Sequence, residues 1–285
     1  MKHSLLYILC LMVILGCEKA DFSGETQDGG NVSLQFLPAG NTTRATIVIG
    51  DYFHKLNVQL FTADGEKVFD KVRTQTIDEE DFGHLSLSLA EGVYTVVAVG
   101  HSSVKSATIK SPQMVQFTAS NGEKLTDTFC YCGQITVGET PEQHSLEMQR
   151  ATAMFRVQLT DETIPANVVS MKFDYTGGSA NFNPTTFEGT TKSTQSENRA
   201  VGGKTYRCYT FPYMAASGKL KMTLSALAED GTIIRKRTWT DVPVERNRIT
   251  TYTGQFFSGD EGAISQSGFG FIVNGEWGEE ITVEF

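Results

Sequence analysis

The sequence predicts an all-β chain built from two tandem β-sandwiches. Three observations carry that prediction. Apolar residues alternate with polar ones at period two in many short stretches, Gly-bearing turn pairs separate those stretches, and no window of a dozen residues carries an apolar stripe at helical spacing. In chain order, Val32, Leu34 and Phe36 alternate with Ser33 and Gln35, and Leu56, Val58 and Leu60 alternate with Asn57 and Gln59. Leu85-Ser86-Leu87-Ser88-Leu89 repeats the pattern, and Glu91-Gly92 turns into the run Val93–Val99. Alternation of β-branched and aromatic residues marks half-buried strands. Turns are predicted at Asp64-Gly65, Asn121-Gly122, Gly177-Gly178, Asp230-Gly231 and Asn274-Gly275, pairs that readily take the positive φ of tight hairpins. Gly138–His144 is polar with a proline and reads as a linker, after which a fresh strand starts at Leu146 and runs through Val157. The predicted organisation is therefore a first sandwich over 31–143 and a second over 144–285, with one large sandwich as the alternative. Residues 183–204, rich in Thr, Ser and Gly, are predicted to form a long exposed loop or ragged hairpin. The chain closes on an alternating strand, Ile281–Phe285.

The first thirty residues have a different character. A positive start (Met1-Lys2-His3), an apolar stretch from Leu5 to Leu15 and a small residue, Gly16, have the layout of an export signal. The 11 apolar residues would rise only about 16 Å as a helix against a hydrocarbon core of roughly 30 Å, too short to span. Val13-Ile14-Leu15-Gly16-Cys17 resembles the lipobox of bacterial lipoproteins. That resemblance implies cleavage between Gly16 and Cys17, acylation of Cys17, and residues 17–30 as a flexible tether.

Composition narrows the functions open to the folded part. The formal charge is −9, and loss of Lys2 with the signal leaves 23 Lys and Arg against 33 Asp and Glu, or −10. An acidic chain without a basic cluster argues against nucleic acid as a partner. Of the five cysteines, Cys10 leaves with the signal and Cys17 takes lipid, so Cys130, Cys132 and Cys208 remain. An odd number cannot form a complete disulfide framework, and buried thiols acting as small apolar side chains are the favoured reading. The five histidines are scattered, so no metal or cofactor is expected.

The remaining polar groups form no catalytic pattern. His101 lies beside Ser102, but neighbouring strand residues point to opposite faces and cannot pair as base and nucleophile. The run Asp78-Glu79-Glu80-Asp81 lacks the alternate spacing and glycine of a calcium loop and reads as a solvated acidic turn. Trp239 and Trp277 are read as packing residues rather than a sugar platform. No residue is assigned a catalytic role, and an enzyme is not expected.

Several segments, in order, resemble the lipidated subunits and anchors of type V (fimbrillin-like) pili. They are Lys55–Phe61 leading into Asp64-Gly65-Glu66, Asp81-Phe82-Gly83, Gly92-Val93-Tyr94, Asp127-Thr128-Phe129, Arg150-Ala151-Thr152-Ala153, Tyr175–Gly178 and Arg246–Thr250 before Tyr252-Thr253-Gly254. The resemblance implies two transthyretin-like β-sandwiches and a lipid-anchored outer-membrane protein. Its implied partners are fimbrial subunits of the same pilus, engaged through β-strands. Anchor-type members of that family keep their lipid, whereas shaft members are cut after an arginine and accept a neighbour's strand. Thr43-Arg44-Ala45 is a candidate processing site between Arg44 and Ala45, with an ordinary surface arginine as the favoured reading. The alternative to an anchor is a polymerising shaft or tip subunit, an adhesin for a glycan or host protein that would use the 183–204 loop.

Overall fold

A computed structural model describes residues 30–39, 48–118, 125–216, 218–258, 277 and 280–284. Cys17, Arg44, Ala45 and the predicted turns Asn121-Gly122 and Asn274-Gly275 lie outside the described residues. The fold is all-β: the helical segments among the described residues are two short 3-10 turns, Ile49–Asp51 and Met214–Ala216.

The first half carries β1 (Val32–Pro38), β2 (Lys55–Thr62), β3 (Arg73–Thr76), β4 (His84–Leu87), β5 (Gly92–His101), β6 (Thr108–Ser111), β7 (Met114–Gln116), β8 (Phe129–Val137) and β9 (Glu142–Arg150). Seven of these form one sheet in the order β3-β2-β5-β8-β9-β1-β4. Strands β8 and β9 pair only at Phe129↔Arg150 and Cys130↔Gln149. Leu56, Val58 and Val96 from one arm and Val32, Leu34 and Met148 from the other meet in a single apolar cluster. The sheet therefore folds over at this short pairing and packs on itself as a sandwich.

Polar residues 142–144, expected in a linker, instead open β9, which pairs in parallel with β1 from Glu142 to Met148. Backbone pairing with a distant strand outweighs the local proline and polar signal. The predicted continuous strand from Leu146 to Val157 is correspondingly two strands, broken at Ala151-Thr152.

The second half carries β10 (Ala153–Leu159), β11 (Ser170–Gly178), β12 (Asn181–Phe182), β13 (Ser193–Ala200), β14 (Thr205–Thr210), β15 (Lys219–Leu227), β16 (Ile233–Pro243), β17 (Ile249–Gly254) and β18 (Glu280–Glu284). Two four-stranded sheets, β14-β10-β17-β18 and β13-β11-β15-β16, enclose a second cluster around Phe155, Phe173, Tyr175 and Trp239. A small sheet, β12-β7-β6, joins the halves and covers a third cluster containing Val97, Val99, Ile109, Phe182 and Phe211. Strand β5 is thus apolar on both faces. Val96, Ala98, Val97 and Val99 are all buried, which explains why its sequence is a continuous run rather than an alternation.

Asp64-Gly65 and Asp230-Gly231 turn as expected, with φ of 81° and 83° at the glycines. Gly177-Gly178 does not. Strand β11 runs through it with a bulge, and Gly177 takes φ 109° where any Cβ would strike the backbone of Lys219. The expected loop at 183–204 is also partly overturned. Residues 193–200 form β13, paired with β11 along its length. Its inward residues are Gln195 and Glu197, so the strand lacks the apolar period that reveals strands in a sequence.

A candidate strand-insertion site and the junction beside it

Strand β1 is held on both sides. It pairs in parallel with β9 from Val32↔Glu142 to Pro38↔Met148, and antiparallel with β4 from Val32↔Leu87 to Gln35↔His84. Val32, Leu34 and Phe36 point into the first core and are buried, while Ser33, Gln35 and Leu37 lie half-buried on the other face. Val32, Leu34 and Phe36 each contribute about 1.5–3 kcal/mol by leaving water. The strand's start is fixed by Asn31, whose side-chain amide donates to Leu89 O at 2.8 Å and whose Oδ1 accepts from Leu89 N at 2.9 Å. Its far end is held by Ala39 N donating to Met148 O. Gly30 enters so close to the backbone of Leu87 that a Cβ there would clash. Without β1, facing edges of β4 and β9 would carry unpaired backbone groups above an uncovered apolar floor.

Beyond β9, several of the segments singled out in the sequence meet. The Arg150 Nε donates to both carboxylate oxygens of Asp127, at 2.8 and 3.0 Å, and its Nη1 reaches Asn247 Oδ1 at 3.0 Å. The guanidinium lies over the rings of Phe129 (4.6 Å) and Trp277 (3.9 Å). The Thr152 hydroxyl donates to Asp127 and accepts from Thr128 N, and Thr152 O accepts from Asn247 N. Asn247 takes φ 59°, which asparagine tolerates better than most residues. Burial of the Asp127 carboxyl raises its pKa, and that effect outweighs the lowering by Arg150, Thr152 and the Thr128 amide. Asp127-Thr128-Phe129, Arg150-Ala151-Thr152 and Arg246-Asn247-Arg248 are therefore three sides of one clamp. It ties the end of the first sandwich to the turn between β16 and β17. The sequence displayed these residues, but their roles depend on contacts across 23 and 97 positions.

The other candidate groups are placed as follows. His101 is fully buried. Its Nδ1 accepts from Ser103 N at 3.1 Å and its Nε2 sits 2.8 Å from Asn57 Oδ1, so the ring donates to Asn57 and is neutral. Burial, with Lys55 nearby, lowers its pKa to about 3. The adjacent Ser102 hydroxyl accepts from His54 N instead. Cys130, Cys132 and Cys208 are free thiols whose pKa values are raised, first by burial. In the acidic turn, Glu79 accepts from both the amide and the hydroxyl of Thr76. Trp239 is a core residue, and Trp277 packs on Arg150.

A profile of a family of unknown function, DUF6562, matches residues 25–283. The chain belongs to the DUF6562 family. No curated protein matches it. Among solved structures, this DUF6562 chain is similar to a candidate adhesin from Bacteroides thetaiotaomicron, with 16% identity over 72% of this chain and 78% of that one at a TM-score of 0.47. It is also similar to the fimbrial anchor protein Mfa2 from Porphyromonas gingivalis (17% identity, 74% and 81% covered, TM-score 0.40). A third likeness is to a fimbrial assembly protein from Parabacteroides distasonis (13% identity, 79% and 90% covered, TM-score 0.42).

Proposed function

We propose that this protein is a lipid-anchored outer-membrane fimbrial component, most simply the anchor or terminator of a type V fimbria, and that it works by strand-based subunit contact without catalysis. The carrying observation is the position of β1, a short strand near the chain's start that completes a sheet between two other strands. The lipobox at Cys17 and the ordered family-like segments support the same reading.

The physical logic is a coupling. Cys17 and β1 both precede Arg44. A chain left intact there keeps its lipid and keeps its own slot filled, so it cannot accept a neighbour's strand at that place and ends a fibre. A chain cut after Arg44 would lose its lipid attachment, and release of β1 would then open an apolar slot for a neighbour's strand. The two-sandwich division belongs to this reading.

The test is the N-terminal sequence and intact mass of the protein recovered from outer membranes and from sheared fimbriae. A lipidated Cys17 confined to the membrane fraction is the expected result. A chain beginning at Ala45 in the fimbrial fraction would overturn the anchor and make the protein a polymerising subunit.

A further inference from the structure

Strands β1 and β9 run in parallel, and the two ends of that pair lead to different parts of the molecule. The chain enters β1 through Gly30, at the end where Val32 faces Glu142. At the other end Pro38 faces Met148, and β9 runs on through Arg150 into the second half. The N-terminal tether and the second half therefore leave the ladder at opposite ends. We infer that the β1–β9 ladder is a mechanical clamp, loaded in shear, that carries tension between the tether and a partner seated on the second half. Where force enters rests on the reading that Cys17 carries lipid; how the ladder responds to force does not.

Direction decides how such a ladder fails. Force on the start of β1 and opposite force on the end of β9 act along the strand axis, so the hydrogen bonds share the load and break together. Force on both strands at one end opens them one pair at a time. Parallel ladders have evenly spaced bonds, so the load spreads over every position from Val32↔Glu142 to Pro38↔Met148. Strand β4 adds a second hold on the other side of β1, from Val32↔Leu87 to Gln35↔His84, and it too must slide. Both ends are pinned. At the loaded end Glu142 N donates to Asn31 O at 2.9 Å, and the Asn31 side chain makes its two bonds to Leu89. At the far end Ala39 N donates to Met148 O at 2.8 Å, and Phe36 N donates to Gly83 O at 2.9 Å. Val32, Leu34 and Phe36 close the inner face to the water that would replace a stretched bond.

Beyond the ladder, load passes into the second half through more than the backbone. Arg246 Nη1 donates to Gln149 Oε1 and to Arg150 O, both at 3.3 Å, while Arg150 itself holds Asp127 and Asn247. Phe117 of the first half stacks on Phe211 of the second at 5.8 Å between ring centres. Strand β7 pairs with β12 at Val115↔Phe182 and Gln116↔Asn181. The end of β9 is thus fastened to the second half by side chains, an apolar cluster and a shared sheet, so tension on that half is delivered to β9 and from there to β1.

The experiment is single-molecule pulling on the mature chain from Glu18, with one handle at its N-terminus and the second at an exposed residue in one of two places. Glu229→Cys, in the turn between β15 and β16, loads the ladder from opposite ends. Glu139→Cys, just before β9, loads it from one end only. Both variants keep the same ladder, so a difference in rupture force reports direction alone. Rupture through position 229 is expected at about three times the force needed through position 139, because the pairs share the load instead of bearing it in turn. The chain length released, at most about 3.3–3.6 Å per residue, identifies which half yields, and the first half is expected to yield first. Equal rupture forces in the two geometries, or first yielding in the second half, would overturn the clamp. Neither result bears on the lipid at Cys17, which the N-terminal mass decides, so the two readings fail separately.

Discussion

Strands β1 and β13 have the same alternating burial and opposite chemistry. The inward residues of β1 are Val32, Leu34 and Phe36, which gain by leaving water. Those of β13 are Gln195 and Glu197, which lose by it unless partners compensate. The compensation is visible. Glu197 holds Arg199 at 2.6 Å and receives the Tyr175 hydroxyl at 3.3 Å, while that hydroxyl also reaches Tyr209 O at 2.7 Å. One strand is an apolar plug in a preformed slot, whereas the other is held by a polar network. A plug is replaceable by any strand of suitable pattern, but a network demands particular side chains.

The strongest way to break the comparison is to remove the plug. Deleting residues 30–39 should expose the first core, seen as increased binding of a dye for apolar surface and loss of cooperative unfolding. A peptide of those residues added in trans should restore both. Failure of the peptide would show that β1 is an ordinary strand rather than a replaceable one. Next in size, Phe36→Ala should cost about 3–5 kcal/mol in denaturant unfolding, because it leaves a cavity among residues that cannot all collapse into it. On the polar side, Glu197→Leu alone should cost about 3 kcal/mol by stranding Arg199. The double change with Arg199→Leu should recover most of that loss. If the double variant is as unstable as the single, the network contributes more than charge compensation.

The smallest effects are those of pH, and they run in opposite directions for β13 and β5. Burial raises the Glu197 pKa despite its pairing with Arg199. Its contribution is therefore full below the ordinary carboxylate pKa and lost as pH rises through the folded value. His101, at the end of β5, has a folded pKa of about 3 against 6.5. The unfolded chain takes up a proton that the native state refuses, so this contribution is full above pH 6.5 and lost on acidification toward pH 3. Denaturant unfolding followed from pH 7 to pH 4 should show His101→Gln losing less stability than the parent, by up to about 1.4 kcal/mol per pH unit. Parallel curves would mean that His101 becomes protonated in the native state.

The difference between β1 and β13 also explains which parts of the fold the sequence revealed. Strand β1 was legible because its inward residues are apolar at period two, and so were β2, β4 and the two Asp-Gly turns. Strand β13 was hidden because the same geometry is filled with polar side chains. Gly177-Gly178 misled because glycine serves a close approach as readily as a turn. The segment 142–144 misled because a proline and polar residues are compatible with a strand whose partner is distant.

By itself, the sequence determined the all-β class, strands β1, β2, β4 and β5 and the turn glycines at 65 and 231, because each is written in neighbouring residues. Only the tertiary structure decided that β1 lies between β9 and β4, and that Asp127, Arg150 and Asn247 form one clamp. The reason is physical. Periodicity and backbone preference act over a few residues, whereas strand pairing, desolvation and charge compensation depend on which distant segments the fold brings together.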